Sequence, residues 1–302
     1  MARHATWAGL QAARDNGPLV ATLWLLNLAL ALAAVLPTWR ALADAIGLLP
    51  GADVLAEAIS IEVLADLGEL RPGLVAGFVN AAGAFYLLGL VVGPVVAGGA
   101  LEVLTGADER PFAHRFGRGG FRFFGRFLRL GAITLAAASL LAALTAGPLF
   151  ALGRYARRES GSEWLSLGVM AAACAVLGLA LLLALLVQDA ARIRIVREDA
   201  PRVLPALAAG ARLVLHSPAA WLSTWAVNAL LLLAAFGAYL ALSGTAALGS
   251  RVLALVALQQ GFVLARCGLR VALLGAEVAL VPEPAPPLAR AAHATGVEPP
   301  PV

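Results

Sequence analysis

The last apolar stretch of the chain, VLALVALQQGFVLARCGLRVALLGAEVALV, is interrupted by Gln259, Gln260, Arg266, Arg270 and Glu277. Ionisable groups are expensive in hydrocarbon and persist mainly where they pair, line a polar cavity or reach the interface. At about 1.5 Å per residue from Val252, Arg266 falls roughly 21 Å into a hydrocarbon core of about 30 Å. Arg270, one turn on, reaches the inner edge, and long side chains of this kind snorkel toward the headgroups. Residues 271–281 are then expected along the cytoplasmic surface. In a longer, upright helix, Arg266 and Arg270 instead line a polar cavity or hold an acidic headgroup. Glu277, two turns beyond Arg270, shares that face and extends an ion-pair row.

Two further patterns place charge at the membrane edge. Arg115, Arg118, Arg122, Arg126 and Arg129 recur at three- and four-residue spacing and share a helical face, while Phe116, Phe123, Phe127 and Leu130 share another. That alternation describes a helix in the headgroup plane, its cations on lipid phosphate and its rings in the acyl boundary. The second pattern, QDAARIRIVRED, leaves an apolar run. Asp189 and Arg192 are spaced i,i+3, and Arg194 and Glu198 i,i+4, so both pairs can close on a helix continuing into the cytoplasm. This segment is expected to be either a solvated, self-neutralising helix end or a docking surface for a cytoplasmic protein partner.

Other signals point to packing. Asn27, Asn80 and Asn228 are single amides in apolar runs, which usually bond to a neighbouring helix. Gly89 and Gly93 form a GxxxG that permits close backbone approach, and Pro94 after Gly93 is expected to kink or break its helix. No Walker loop, HExxH or GxSxG is present. No Asp or Glu sits at the centre of an apolar run, so no proton or sodium relay stands out. Cys174 and Cys267 form no CxxC, and His4, His114, His216 and His293 are scattered. No catalytic residue, metal site or cofactor is expected, and the chain does not read as an enzyme.

The elements that must carry these groups follow from composition. Hydrophobic residues make up 61% of the 302 residues and charged residues 13%, against about 25% charged in soluble domains. Several uncharged runs reach the roughly 20 residues needed to cross a bilayer. They lack period-2 alternation, so helices rather than barrel strands are expected. The reading is an all-α polytopic bundle: a single domain over 1–281 with six spans near 19–36, 74–101, 130–153, 164–187, 219–242 and 252–281. Amphipathic interfacial elbow helices join them. The first span reads as a retained helix, with a cleaved signal peptide as the alternative. Trp221 and Trp225 are expected as interface anchors. Residues 38–73 carry Leu55, Ile59, Val63 and Leu67 every four residues and read as an amphipathic helix, and 282–302 as a disordered Pro-rich tail.

All 22 basic residues are Arg. An N-terminus inside puts fourteen of them in cytoplasmic segments and six outside, so both termini are expected in the cytoplasm. This basic charge lies beside spans, where anionic lipid rather than nucleic acid is the nearer partner. The basic segments ending GGFRFFGRFLRLGAI and ALAAGARLVLHSPAAW suggest a pseudo-repeat of two helix–elbow–helix units.

The GGALEVL exit, the RFFGRFLRL elbow, QDAARIRIVRED and QQGFVLARCGLRVALLGAE together resemble poorly characterised bacterial six-helix inner-membrane proteins, among them membrane domains associated with glycerophosphodiester phosphodiesterases. The resemblance covers roughly residues 15–281. It implies a fold and an inner-membrane location, and transfers no catalytic residue. The leading expectation is a non-enzymatic scaffold or accessory protein whose Arg-rich face binds anionic lipid or a partner. The rival is a small transporter for an anionic or lipid-like solute, with its path along the sixth helix.

Overall fold

The structure is a computed structural model and describes residues 2–46, 72–106, 110–160, 163–244 and 252–282. The expected amphipathic helix within 38–73 and nearly all of the Pro-rich tail lie outside the described residues. The described chain is helical throughout: α1 (Ala2–Asp15), α2 (Gly17–Ile46), α3 (Pro72–Thr105), α4 (Phe112–Ser160), α5 (Glu163–Glu198), α6 (Val203–His216), α7 (Pro218–Ser243) and α8 (Val252–Leu280).

Among the described residues, five helices are long and apolar enough to cross a membrane, with crossing stretches at Gly17–Leu36, Asn80–Thr105, Phe112–Thr145, Leu167–Glu198 and Pro218–Ser243. The sixth expected span, α8, is not among them. Two glutamines, two arginines and Glu277 dilute its apolar run. Large apolar side chains cover the outside of the bundle; Trp164 is 84% and Leu253 85% exposed. A surface of this kind suits lipid rather than water.

The core gathers at one end of the bundle. Leu19 and Leu23 at the start of α2, Leu101 at the end of α3, and Phe123, Phe127 and Leu130 of α4 are buried there. So are Leu186, Ile193 and Ile195 late in α5, Val203 and Val214 of α6, Trp221 at the start of α7, and Val271 and Leu274 late in α8. The far halves of the helices stay largely exposed. Helices in lipid associate through close van der Waals packing and interhelical hydrogen bonds, so this densely packed end holds the bundle together.

Close helix crossings depend on small residues. A Cβ at Gly98 of α3 would lie 2.7 Å from the Gly119 carbonyl oxygen of α4, and one at Gly120 would lie 2.9 Å from that of Val95. On α8, a Cβ at Gly275 would lie 2.7 Å from that of Ala12 in α1. The expected GxxxG does not serve this purpose, since Cβ atoms at Gly89 and Gly93 would meet nothing within 4 Å. Pro94 is buried and α3 continues through it without a break.

The elbows differ from expectation. Residues 112–160 form one helix of 49 residues, roughly 74 Å long at about 1.5 Å per residue. The first elbow is therefore the leading part of that helix, not an element of its own. The second elbow is a separate helix, α6, which ends at Ser217 before α7 begins with Pro218 at its first turn.

Candidate functional site

A cavity of about 660 Å³ lies where α2, α3, α4, α5 and α8 meet. That is within the usual size range for small-molecule sites. Leu26 and Leu30 of α2, Leu90 of α3, Leu135 and Ala138 of α4 and Leu185 of α5 form apolar walls. Asn27, Gln188, Asp189, Arg192 and Arg270 add polar groups. Gly89 and Gly93, which pack on no neighbour, also line it and leave it open. The charged groups come from late turns of α5 and α8, toward the packed end of the bundle. The resulting chamber is apolar along most of its wall and cationic at one end.

Two arginines set the charge of that end. Arg192 donates from Nη1 to Asp189 Oδ1 at 2.9 Å, and its guanidinium lies 5.8 Å from the centroid of the Phe127 ring. Its Nε is buried with no acceptor among the described residues. Arg270 is exposed on the cavity side and forms no ion pair among the described residues. Near them, Asn27 donates from Nδ2 to the Leu23 carbonyl at 2.9 Å and toward the Cys267 sulfur at 3.5 Å.

The polar residues of α8 thus part ways. Arg270 lines the cavity, but Arg266 and Gln259 are exposed and do not. Gln260 accepts a hydrogen bond from Trp24 Nε1 at 3.1 Å, tying α8 to α2. Glu277 is 1% exposed, and neither carboxyl oxygen has a hydrogen-bond partner among the described residues. The expected Arg266–Arg270–Glu277 ion-pair row is not formed. Residues 271–278 are all buried, so the last third of α8 packs inside the protein instead of along a surface. Asn228 spans α7 and α8, donating to the Leu269 carbonyl at 2.9 Å, whereas Asn80 is exposed.

The arginine face of α4 is largely engaged with the protein itself. Arg115 donates from Nη2 to the Val103 and Gly106 carbonyls, both at 2.7 Å, and so caps the C-terminus of α3. Arg122 and Arg126 grip opposite oxygens of Asp199 at 2.6 and 2.7 Å. The Arg126 hydrogen bond, with help from Arg122, holds the Asp199 carboxyl below the usual carboxylate range. Arg118, Arg122 and Arg129 are exposed, with Phe121 beside them. The opposite face was expected in lipid, yet Phe123, Phe127 and Leu130 are completely buried in protein. Trp221 is likewise core and not an interface anchor, while Trp225 is exposed.

The segment 188–199 is part of this core. Asp189–Arg192 and Arg194–Glu198 both close at their expected spacings, at 2.9 and 2.8 Å. Asp189, Ile193 and Ile195 are buried, so much of this segment's surface is already occupied by neighbouring helices. Arg197, which sequence reasoning left without a role, donates to the Val278 carbonyl at 3.0 Å and to that of Val281. An arginine at a helix C-terminus satisfies its last carbonyls and meets the negative end of the dipole.

A scan of family models finds no match, and no curated protein or solved structure matches the chain.

Proposed function

We propose that this is a non-enzymatic bacterial inner-membrane protein whose cavity binds an anionic, lipid-like amphipath, its charged head at Arg192 and Arg270 and its chain along the leucine walls. One observation carries the reading: a cavity apolar over most of its wall ends in two arginines, and Arg270 forms no ion pair among the described residues. Guanidinium groups suit phosphate and carboxylate. An apolar chamber beside them suits acyl chain and offers little to a small hydrophilic anion. The same geometry suits passage of such a molecule along the α5–α8 side, the transport form of this reading.

The topology that goes with it is six crossings with both termini cytoplasmic. What supports this is the meeting of α1 with the end of α8, where Gly9 and Ala12 face Ala272 and Gly275. The two ends of the described chain therefore share one end of the bundle. With α2, α3, α4, α5 and α7 as crossings, α8 must return across for its end to reach α1. Val252–Arg270 then spans the hydrocarbon, and residues 271–280 lie beyond it among the cytoplasmic helices. This puts Arg192 and Arg270 at headgroup level.

A second reading rests on the exposed stripe Arg118, Phe121, Arg122 and Arg129. It would seat α4 on an anionic membrane surface as a scaffold. Native mass spectrometry of the detergent-purified protein with phosphatidylglycerol or phosphatidylcholine separates the two. Cavity binding gives one retained phosphatidylglycerol, lost in Arg270→Ala and kept in Arg118→Ala/Arg129→Ala. The converse pattern favours the surface stripe and overturns the cavity.

A further inference from the structure

We infer that Glu277 is a proton site coupled to the cavity, so that an anionic headgroup at Arg192 and Arg270 is held most tightly when Glu277 carries a proton. This rests on the reading of the cavity as a site for an anionic amphipath.

The inference starts from a buried group with nothing to bind. Glu277 is 1% exposed, and both oxygens lack a donor among the described residues. Stripping a carboxylate of water without supplying hydrogen bonds costs several kcal/mol or more. Buried polar groups are nearly always hydrogen-bonded, so a carboxyl without a donor calls for another way to lose its charge, which a proton supplies. The charges acting on it are Asp189, Arg270 and Arg192, all of which line the cavity. Glu277 itself does not line it. It stands one turn beyond Leu274, which does, so a proton fits the position and a headgroup does not.

The nearest further cation, Arg197 of α5, is engaged with the Val278 and Val281 carbonyls at the end of α8. From α5, the charges of Asp189 and Arg192 act on Glu277, and from its own helix that of Arg270. The charged residues of α1 (Arg3, His4, Arg14 and Asp15) are exposed. Glu102 of α3 packs on Gly119 of α4 instead. Helix α2 meets α8 through Trp24 and Asn27, and α7 through Asn228.

Charge balance supplies the coupling. With Glu277 ionised, Asp189, Glu277, Arg192 and Arg270 sum to zero. With Glu277 protonated, the group carries one net positive charge at the cavity end. The Glu277 carboxylate and an arriving anion therefore compete for the same guanidinium groups. Binding takes up a proton from water at the carboxyl, and release of the anion returns it. Such coupling is reciprocal: acid tightens anion binding, and anion binding raises proton affinity.

The test measures the Kd of dioctanoyl phosphatidylglycerol for the purified protein in dodecylmaltoside from pH 5.5 to 8.5. The phosphodiester keeps its charge over this range. Wild type is expected to weaken as pH rises, by up to about tenfold per pH unit for one coupled proton. Glu277→Gln is expected to bind with a flat profile near the wild-type low-pH value. The variant keeps all four histidines, so the difference between the two profiles belongs to Glu277. Proton uptake on lipid addition to wild type in weak buffer reads the same coupling should the variant fail to fold, and is expected between zero and one proton per bound lipid. Wild-type binding with a flat Kd and no uptake overturns the proton site and leaves the cavity reading intact. No binding by either protein at any pH sinks both.

Discussion

Arg197, at the end of α5, donates to the Val278 carbonyl at 3.0 Å and so closes the end of α8. It pins together two helix ends that lie far apart in sequence and holds the buried third of α8 in register beside Asp189 and Arg192. Charge-assisted hydrogen bonds of this kind are worth about 1.5–3 kcal/mol. Arg197→Ala is expected to lower thermal stability in detergent by several degrees. Arg197→Lys should recover only part of the loss, because an ammonium lacks the fork that reaches two carbonyls. An unchanged melting temperature for Arg197→Ala would show that the cap contributes nothing.

The link between Asp199 and the pair Arg122 and Arg126 should be pH-dependent. The Arg126 hydrogen bond lowers the folded-state value of the carboxyl, so its contribution is fully present above the unfolded value of about 3.9. It is lost as pH falls through the folded value. The side chain is half exposed, and solvent screening limits the effect to at most about 1 kcal/mol. Asp199→Asn should therefore melt slightly below wild type from pH 5 to 8, and the two should converge near pH 2–3. A gap that widens in acid would reverse the assignment.

Glycines of similar appearance should respond in opposite ways. Gly98→Val places side-chain atoms where the Gly119 carbonyl already sits, and overpacking of this kind costs about 1–3 kcal/mol or more. Gly93→Leu has open space and should fold normally while filling the cavity and abolishing phosphatidylglycerol binding. Comparing melting temperature with lipid retention for the two variants checks this. A Gly93→Leu protein that still binds lipid at wild-type affinity would remove the cavity from consideration.

The all-helical architecture was legible because apolar runs without period-2 alternation leave few alternatives in lipid. The two ion pairs of α5 were legible because i,i+3 and i,i+4 spacing fixes proximity on one helix. Contacts between helices were not. Nothing local to Arg122 and Arg126 points to Asp199, and nothing local to Arg197 points to Val278. The Phe123–Phe127 face reads as lipid-facing in sequence, because the pattern does not distinguish an acyl neighbour from a protein one. Helix α1 carries no apolar run long enough to stand out, although Gly9 and Ala12 opposite Ala272, Gly275 and Ala276 form a small-residue pattern on both partners. The cavity depends on five helices at once, so only its polar ingredients were visible beforehand.

The packing of α1 on α8 also makes a topological prediction. Reporters active on only one side of the membrane, fused at either terminus, should report the same cytoplasmic compartment. Opposite readings from the two fusions would restore an odd number of crossings and remove α8 as a span.

The most direct measurement is photocrosslinking with a phosphatidylglycerol bearing a diazirine in its acyl chain, followed by peptide mapping. Adducts are expected on the cavity walls, at Leu26, Leu90 and Leu135, and should disappear in Gly93→Leu. Adducts confined to the outer surface, at Trp164, Leu230 and Leu253, with equal yield in the variant, would contradict the assignment of this cavity to a lipid-like ligand.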